Sequence, residues 1–212
     1  MISPTLMYKI NTIFPLVCMM TLSVPLNAQS WSTGFFSGVN FSDARHSYRG
    51  TTTQGYARPV VGVFVERNFV SWIGYRGELL WIRKKADART DSSYARWSAT
   101  VIEAPLLMVL QSSSDYWGVS PIFYFGVKVG YAVKTHYIEK NGNATDFEGQ
   151  TGYANRWSAA GELGAAIDYA ISPKLSVDVA FRFSLGLTDM DPNEPRWSFH
   201  DRLFTLGVKF KR

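Results

Sequence analysis

Three histidines, His46, His136 and His200, fall in or beside segments that read as polar loops. Hydroxyl and carboxylate residues surround them: Asp43, Ser47, Asp189, Asp191 and Asp201. A histidine beside a hydroxyl and a carboxylate is the set of groups with which a hydrolase attacks a lipid or peptide bond. No spacing here joins a nucleophile to a base, and loops are rich in such residues anyway. We therefore expect neither a catalytic site nor a metal site from these histidines.

Charged residues also occur at alternate positions within apolar segments. Successive side chains of a strand point to opposite faces, so these residues share the face that lies opposite the apolar one. We expect them to line the interior of a barrel, where charges at this density must pair and form hydrogen bonds. The set is Glu66, Arg76, Glu78, Glu103, Lys128, Glu162, Asp168, Asp178, Arg182 and Lys209. A salt-bridged plug is the favoured interpretation, and a narrow polar path for protons or small solutes is the alternative.

The elements that must hold these residues are short stretches with a period of two. In the clearest one, Leu175 to Thr188, Phe181 and Phe183 share one face and Asp178 and Arg182 the other. Long polar connections alternate with short ones, which is typical of a barrel with long loops at one rim. The predicted strands are residues 31–42, 57–68, 72–84, 97–111, 117–134, 157–170, 174–188 and 202–211.

The predicted fold class is all-β: an eight-stranded antiparallel up-and-down transmembrane β-barrel. About 9 to 11 tilted residues cross a bilayer, and most of the stretches are long enough. Every backbone polar group needs a partner in lipid, so the strands must close into a ring. The interior of an eight-stranded barrel is only wide enough for side chains to fill it. This is why the plug is favoured over the pore.

Tryptophans provide an independent indication of the membrane. One group lies at strand ends next to the short connections, and the other lies next to the long ones. Two belts of indoles, one at each interface, are typical of anchoring in the lipid headgroups. The first group is Trp31, Trp72 and Trp117, and the second is Trp81, Trp97 and Trp157.

The first 28 residues are predicted to be a secretory signal peptide, which leaves residues 29–212 as the barrel domain. Lys9 supplies a positive start, residues 10–26 are mostly apolar, and Ala28 offers a small residue before the cut. Pro15 and Pro25 argue against a membrane anchor. The only cysteine, Cys18, would leave with this segment, so we expect no disulfide, no thiolate metal site and no cofactor.

The chain carries a formal net charge of +5. Secretion makes nucleic acid a poor partner for it. Cations near Trp81 and Trp97 would lie close to phosphates of the outer leaflet, so the expected partners are outer-membrane lipids including lipopolysaccharide. Ordinary solvated loop charge is the alternative, and any protein or small-molecule ligand of the loops is left open. The expected headgroup contacts are Arg83, Lys84, Lys85, Arg89 and Arg96.

Several motifs resemble the PorT-type outer-membrane β-barrel family. Trp31 to Ser42 is similar to its glycine-spaced first strand, Gly77 to Trp81 to its third, and Ile102 to Leu107 to its fourth. Gly161 to Tyr169 and Leu206 to Phe210 are similar to its sixth and last strands. The resemblance implies an eight-stranded barrel in the outer membrane of a Gram-negative bacterium. The family's name member serves protein secretion, but no residue here carries that role over.

Three functional hypotheses follow. The leading one is a non-enzymatic barrel with a closed, charged interior whose outer loops serve binding or envelope integrity. The second is a narrow passive channel of the porin-like kind. The third, which we favour least, is an outer-leaflet lipid or peptide hydrolase.

Overall fold

The computed structural model describes residues 31–45, 52–89, 93–112, 118–141, 147–149, 156–188 and 198–212. The predicted signal peptide lies outside these residues. Within them, no helix is long and apolar enough to cross a membrane. The strands are β1 (Trp31–Arg45), β2 (Thr52–Val70), β3 (Ile73–Arg89), β4 (Ser93–Gln111), β5 (Val119–Asn141), β6 (Phe147–Gly149), β7 (Trp157–Ser172), β8 (Leu175–Gly186) and β9 (Ser198–Lys211).

Eight of these strands form one closed antiparallel ring. Each long strand pairs with the next one along the chain, and β5 pairs with β7. The first and last strands complete the ring through a continuous register from Ser32–Lys211 to Arg45–Ser198. The three-residue β6 pairs with residues 137–139 of β5 and is not one of the strands of the closed ring. The predicted eight-stranded up-and-down barrel is confirmed.

The period of two separates a lipid-facing surface from an interior. On β8, Asp178, Ala180 and Arg182 are buried, whereas Val179 and Phe181 between them are exposed. An exposed apolar band is expected only where hydrocarbon replaces water as the solvent. The apolar residues therefore cover the outside of the barrel and do not converge on a common core.

Six strands extend further at the long-loop rim than the sequence predicted, whereas β7 begins at Trp157 as predicted and β8 ends at Gly186, two residues earlier. The fifth strand was expected to end near residue 134 but runs to Asn141, and β2 begins at Thr52 rather than at residue 57. Beyond the membrane both faces of a hairpin meet water, so the alternation that marks a strand disappears while the backbone ladder continues. The period of two therefore predicted the strand segments within the membrane but not the parts of the hairpins that extend beyond it.

The interior is only partly charged. One apolar cluster lies on the inner faces of β1 to β4 and of β9, and a second lies on those of β4, β5, β7 and β8. The first contains Phe36, Val60, Phe64, Leu80, Ile82, Ala99, Val101 and Leu203, and the second contains Leu107, Val109, Ile122, Tyr124, Ala166 and Ala180. Alternation predicts an inward position for Tyr124 and Ala180, but the apolar packing of the interior was not predicted.

Glycines make room for the inward phenylalanines. Gly34 pairs with Phe64 across β1 and β2, and Phe36 pairs with Gly62. A Cβ atom on Gly62 would lie 2.5 Å from Phe36 Cζ, and a Cβ atom on Gly34 would collide with the Phe64 ring. Each ring therefore lies flat over the glycine opposite it, because no side chain stands there. This arrangement places two aromatic rings at the level where the charged residues meet.

Candidate functional site

The charged interior is the most densely built polar site in the described part of the barrel. All ten charged residues expected inside the barrel are buried there, with relative exposures of at most 7%. They come from seven of the eight strands of the ring, so the barrel brings together side chains that are distant in sequence. They form three connected layers, which we call the outer, middle and inner layers.

The middle layer crosses the lumen. Arg182 on β8 donates from Nη1 to Glu78 Oε2 on β3 at 2.6 Å, and these two strands stand on opposite sides of the ring. The same guanidinium lies 3.0 Å from Glu162 Oε1. Arg76 donates from Nε to Glu78 Oε1 at 2.6 Å, so Glu78 is held by two arginines. The wall-to-wall contact leaves no open axis at this level.

Aromatic rings hold the arginines of the middle layer in place. The guanidinium carbon of Arg76 lies 3.5 Å from the centroid of the Phe64 ring. That of Arg182 lies 5.3 Å from the Phe36 ring. Cations over ring faces are attracted by the ring quadrupole, more strongly where water is excluded. The two inward phenylalanines therefore seal and orient the charge cluster.

The outer layer is a ring of two lysines and two carboxylates. Lys84 Nζ lies 2.6 Å from Glu103 Oε1 and 2.6 Å from Asp201 Oδ2. Lys128 Nζ lies 2.8 Å from Glu103 Oε2 and 2.9 Å from the same Asp201 oxygen. Each charge has two partners of opposite sign, so the cluster is neutral. Ser42 also donates to Asp201 Oδ1 at 2.8 Å.

Lys84 corrects one sequence-based expectation. It was predicted to contact lipid headgroups, but its side chain is buried inside the barrel at 5% exposure. Trp81 faces outward, so the period of two turns residues 82 and 84 inward. The sequence already implies this alternation, but the prediction places the whole basic run from residue 83 to residue 85 on the outer surface. Asp201 was also missed as an interior residue, because it precedes the predicted start of the last strand.

The inner layer lies toward the short connections. Lys209 Nζ donates to Glu66 Oε1 at 3.0 Å, and Lys211 Nζ donates to Asp168 Oδ2 at 3.1 Å. Arg76 Nη1, 3.6 Å from Glu66 Oε2, joins this layer to the middle one. Asp178 is the least satisfied member. Neither of its carboxylate oxygens forms a hydrogen bond within the described residues.

The three layers connect into one chain of alternating charges. Lys128 Nζ, 4.0 Å from Glu162 Oε2, links the outer layer to the middle one. Two cavities lie at the ends of the lumen in the described part of the barrel: one of about 190 Å³ beside Trp31 and Lys211, and one of about 20 Å³ beside Asp201. A water molecule needs about 10 to 15 Å³ of such volume, so the outer cavity holds about one. The ion pairs of Arg182 with Glu78 and Glu162 cross the lumen between these two cavities.

The family follows from the sequence match. Residues 27–191 match the family model described as outer membrane protein beta-barrel domain. The chain belongs to this family. No curated protein matches it. The protein is accordingly located in the outer membrane, which it crosses with the strands of its barrel.

Solved barrels resemble this barrel-domain protein at low identity. Outer membrane protein OprG from Pseudomonas aeruginosa is 14% identical with a TM-score of 0.49, over 87% of this chain and 96% of that one. The attachment invasion locus protein Ail of Yersinia pestis, in complex with the heparin analogue sucrose octasulfate, is 10% identical with a TM-score of 0.45, over 86% and 99%. Neisserial surface protein A is 11% identical with a TM-score of 0.44, over 85% and 96%.

The tryptophans of this barrel-domain protein lie at both ends of the apolar band. Trp31 and Trp72 are exposed at the short-turn rim, and Trp81 and Trp157 are exposed at the long-loop rim. Arg67 lies over the Trp31 ring at 4.8 Å, and Arg83 lies over the Trp81 ring at 5.1 Å. Two other tryptophans were predicted to belong to the girdle. Trp117 and the side chain of Trp97 both lie outside the described residues.

Of the remaining expected headgroup contacts, Arg83 is exposed next to Trp81, and Lys85 Nζ lies 4.1 Å from the centroid of the Tyr56 ring. Arg96 forms a bidentate ion pair with Asp87, in which Nε and Nη2 each lie 3.0 Å from a carboxylate oxygen. The Arg89 side chain lies outside the described residues. Arg83 and Lys85 thus face outward beyond the apolar band, and the register places Arg96 on the same face, where it is paired with Asp87.

The two described histidines, His136 and His200, do not lie on neighbouring strands. His46 lies outside the described residues, His136 is on β5, and His200 is on β9, with β7 and β8 between them. His200 pairs with the exposed Leu185, and its ring stacks against Phe183 at 6.2 Å. Within the described residues no group of three or more metal-binding side chains occurs.

Proposed function

We propose that this protein is a non-enzymatic outer-membrane barrel with a closed lumen, and that its outer surfaces serve binding or envelope integrity. The observation that carries this proposal is the contact between Arg182 and Glu78, 2.6 Å long, from opposite walls of the barrel. A solute could pass only if this contact opened. The PorT-type resemblance of its strand motifs is compatible with this role, and we include that affiliation in the proposal.

Opening the lumen would be energetically costly. Arg182 would lose Glu78 and Glu162 together, and both carboxylates would remain buried. Breaking a buried ion pair by removing one partner costs about 3 to 5 kcal/mol. A thermal fluctuation that costs this much free energy is rare, so the lumen stays closed almost all the time. The network therefore acts as a permanent brace rather than as a gate.

A narrow passive channel is the alternative, and the cavities at the two ends of the lumen favour it. Ion conductance across planar bilayers separates the two hypotheses. We expect no stable single-channel steps from the wild-type barrel, with a general porin as the positive control. Removing the crossing pair in a Glu78→Ala/Arg182→Ala variant should produce small steps. Arg202→Ala, on the outer face of β9, is the matched control and should stay silent.

Steady steps from the wild-type protein would overturn the closed-lumen proposal. The hydrolase alternative has a separate test, the release of fatty acid or peptide from outer-membrane lipid and protein substrates. His136 and His200 stand on non-adjacent strands, so we expect no turnover. Turnover that disappears on replacement of a histidine would contradict the non-enzymatic assignment.

A further inference from the structure

A basic patch continues the outward face of β3, β4 and β5 beyond the apolar band. The register places Trp81 beside Ile102, and Ile102 beside Tyr131. One step toward the long loops, the side chains on the same face become Arg83, Thr100 and Lys134. The next row on that face consists of Lys85, Ser98 and His136. A hydroxyl therefore stands between an arginine and a lysine in the first row, and between a lysine and a histidine in the second.

A β-bulge brings Lys134 into this patch. Val101 pairs with Ala132, but Thr100 pairs with Lys134, so Val133 is the extra residue. Without the bulge, Val133 would stand opposite Thr100 and Lys134 would face the other side. Bulges commonly re-aim a side chain at functional positions. Val133 and Lys134 are both exposed, as this geometry requires.

The patch encloses a cavity of about 380 Å³. Its lining is Arg58, Arg83, Lys84, Lys85, Ser98, Ala99, Thr100, Lys134 and His136. Within the part of the chain that the structure describes, no carboxylate lines this cavity. Its volume is many times the 30 Å³ or so that a water molecule occupies in the liquid. We call Arg58, Arg83, Lys85, Lys134 and His136 the basic rim site.

The nearest carboxylates are engaged elsewhere. Asp87 accepts hydrogen bonds from Arg96 and from the Tyr56 hydroxyl, at 2.6 Å for the latter. Lys84 is bound to the interior carboxylates already described. Lys85 lies four residues beyond Trp81, outside the apolar band, and its pKa is below its ordinary value because of partial burial and the nearby Arg96 and Arg58, against an opposing effect of Asp87. Among the described residues that line the cavity, basic side chains therefore outnumber acidic ones, and Asp87 stands in the next row toward the loops.

We propose that the basic rim site binds the phosphate groups of a phosphorylated glycolipid in the outer leaflet of the membrane. Arginine and lysine are the cations that bind phosphate oxygens, and the hydroxyls of Ser98 and Thr100 add hydrogen-bond donors. The source is a lipid because the site begins one residue row beyond Trp81, on the same outward face. A lipid whose chains pack on Ile102 and Trp81 would carry its phosphates to this level.

The proposal is tested by native mass spectrometry of the protein purified in an uncharged detergent. The probes are lipid A with two phosphates, the same lipid with its phosphates removed, and soluble inorganic pyrophosphate. We expect binding of the phosphorylated lipid and little binding of the other two. The Arg83→Gln/Lys134→Gln variant should bind about 30-fold more weakly, which corresponds to two cations at about 1 kcal/mol each.

Matched variants make the test specific. Arg202→Gln removes an exposed outward cation from β9, the strand opposite β4 in the ring, and should not change the affinity. Arg83→Lys keeps the charge and should retain most of the binding. Circular dichroism confirms that each variant retains its barrel, and bilayer conductance reports on the closed lumen independently.

Three outcomes would overturn the proposal. The first is unchanged lipid binding by the double variant. The second is an equal loss in Arg202→Gln, which would mean diffuse surface charge rather than a site. The third is tight binding of pyrophosphate without the lipid, which would assign the site to a soluble anion instead of a membrane component.

Discussion

Removing Lys128 is the sharpest perturbation of the charged interior. Its amine lies 2.8 Å from Glu103 and 2.9 Å from Asp201, and all three side chains are buried. Lys128→Met keeps an unbranched side chain of nearly the same length and removes the charge together with its two hydrogen bonds. The outer layer then changes from neutral to a net charge of −1, with Lys84 shared between two carboxylates.

The expected loss of stability can be estimated from this geometry. Removing one partner of a buried ion pair costs about 3 to 5 kcal/mol, because the other charge stays buried without compensation. Lys84 remains 2.6 Å from both carboxylates, so the loss should fall at the lower end. We expect about 3 kcal/mol, which is roughly a 150-fold change in the folding equilibrium constant.

The assay is equilibrium unfolding by guanidinium in phospholipid vesicles, followed by tryptophan fluorescence. Lys174→Met at the exposed short turn is the matched control and should change the free energy of unfolding by less than about 0.5 kcal/mol. Adding Glu103→Gln to Lys128→Met restores neutrality and should recover at least about half of the loss. The double variant therefore separates charge balance from packing.

Two results would refute this reasoning. One is a Lys128→Met variant within about 1 kcal/mol of wild type, which would mean that water reaches and solvates the outer layer. The other is a Glu103→Gln substitution that deepens the loss, which would mean that the carboxylate is needed for its hydrogen bonds rather than for its charge.

Three further outcomes are expected in the same unfolding assay. Gly62→Ala should cost about 1 to 3 kcal/mol, because the new Cβ would lie 2.5 Å from Phe36 Cζ. Val127→Arg, on the lipid face of β5, should cost about 2 to 4 kcal/mol; an unchanged stability would mean that this face does not meet hydrocarbon. Asp178→Asn should leave the stability equal or higher, because Asp178 has no hydrogen bond within the described residues and stands directly opposite Asp168, while Arg76, 3.8 Å from its Oδ2, keeps Glu78 and Glu66 as partners. A clear loss would show that its charge is needed.

Alternation along the chain was sufficient to predict the membrane-crossing parts of the barrel. The pattern around Phe181 and Arg182 depends only on the geometry of one strand, so no knowledge of its neighbours is required. The same pattern indicated the ten interior charges. It failed at Lys84 and Asp201, where a basic loop and a strand boundary were assigned by composition rather than by parity.

Apolar residues of the interior were harder to predict. Leu80 and Ile82 point inward and are fully buried, although they look like the lipid-facing residues beside them. A run of consecutive apolar residues carries no alternation of its own, so only its parity with Glu78 and Trp81 indicates which side chains face inward. The closed ring decides what they contact, because it brings them against Phe36 and Val101 from other strands.

The sequence by itself therefore determined that this chain crosses a membrane as strands, since a period of two is a local property of the backbone. The tertiary structure alone decided which charges meet. Arg182 contacts Glu78, 104 residues away along the chain, because ring closure sets β8 opposite β3. Such contacts depend on the stagger between strands. The stagger is a property of the whole barrel and cannot be predicted from any single segment of the sequence.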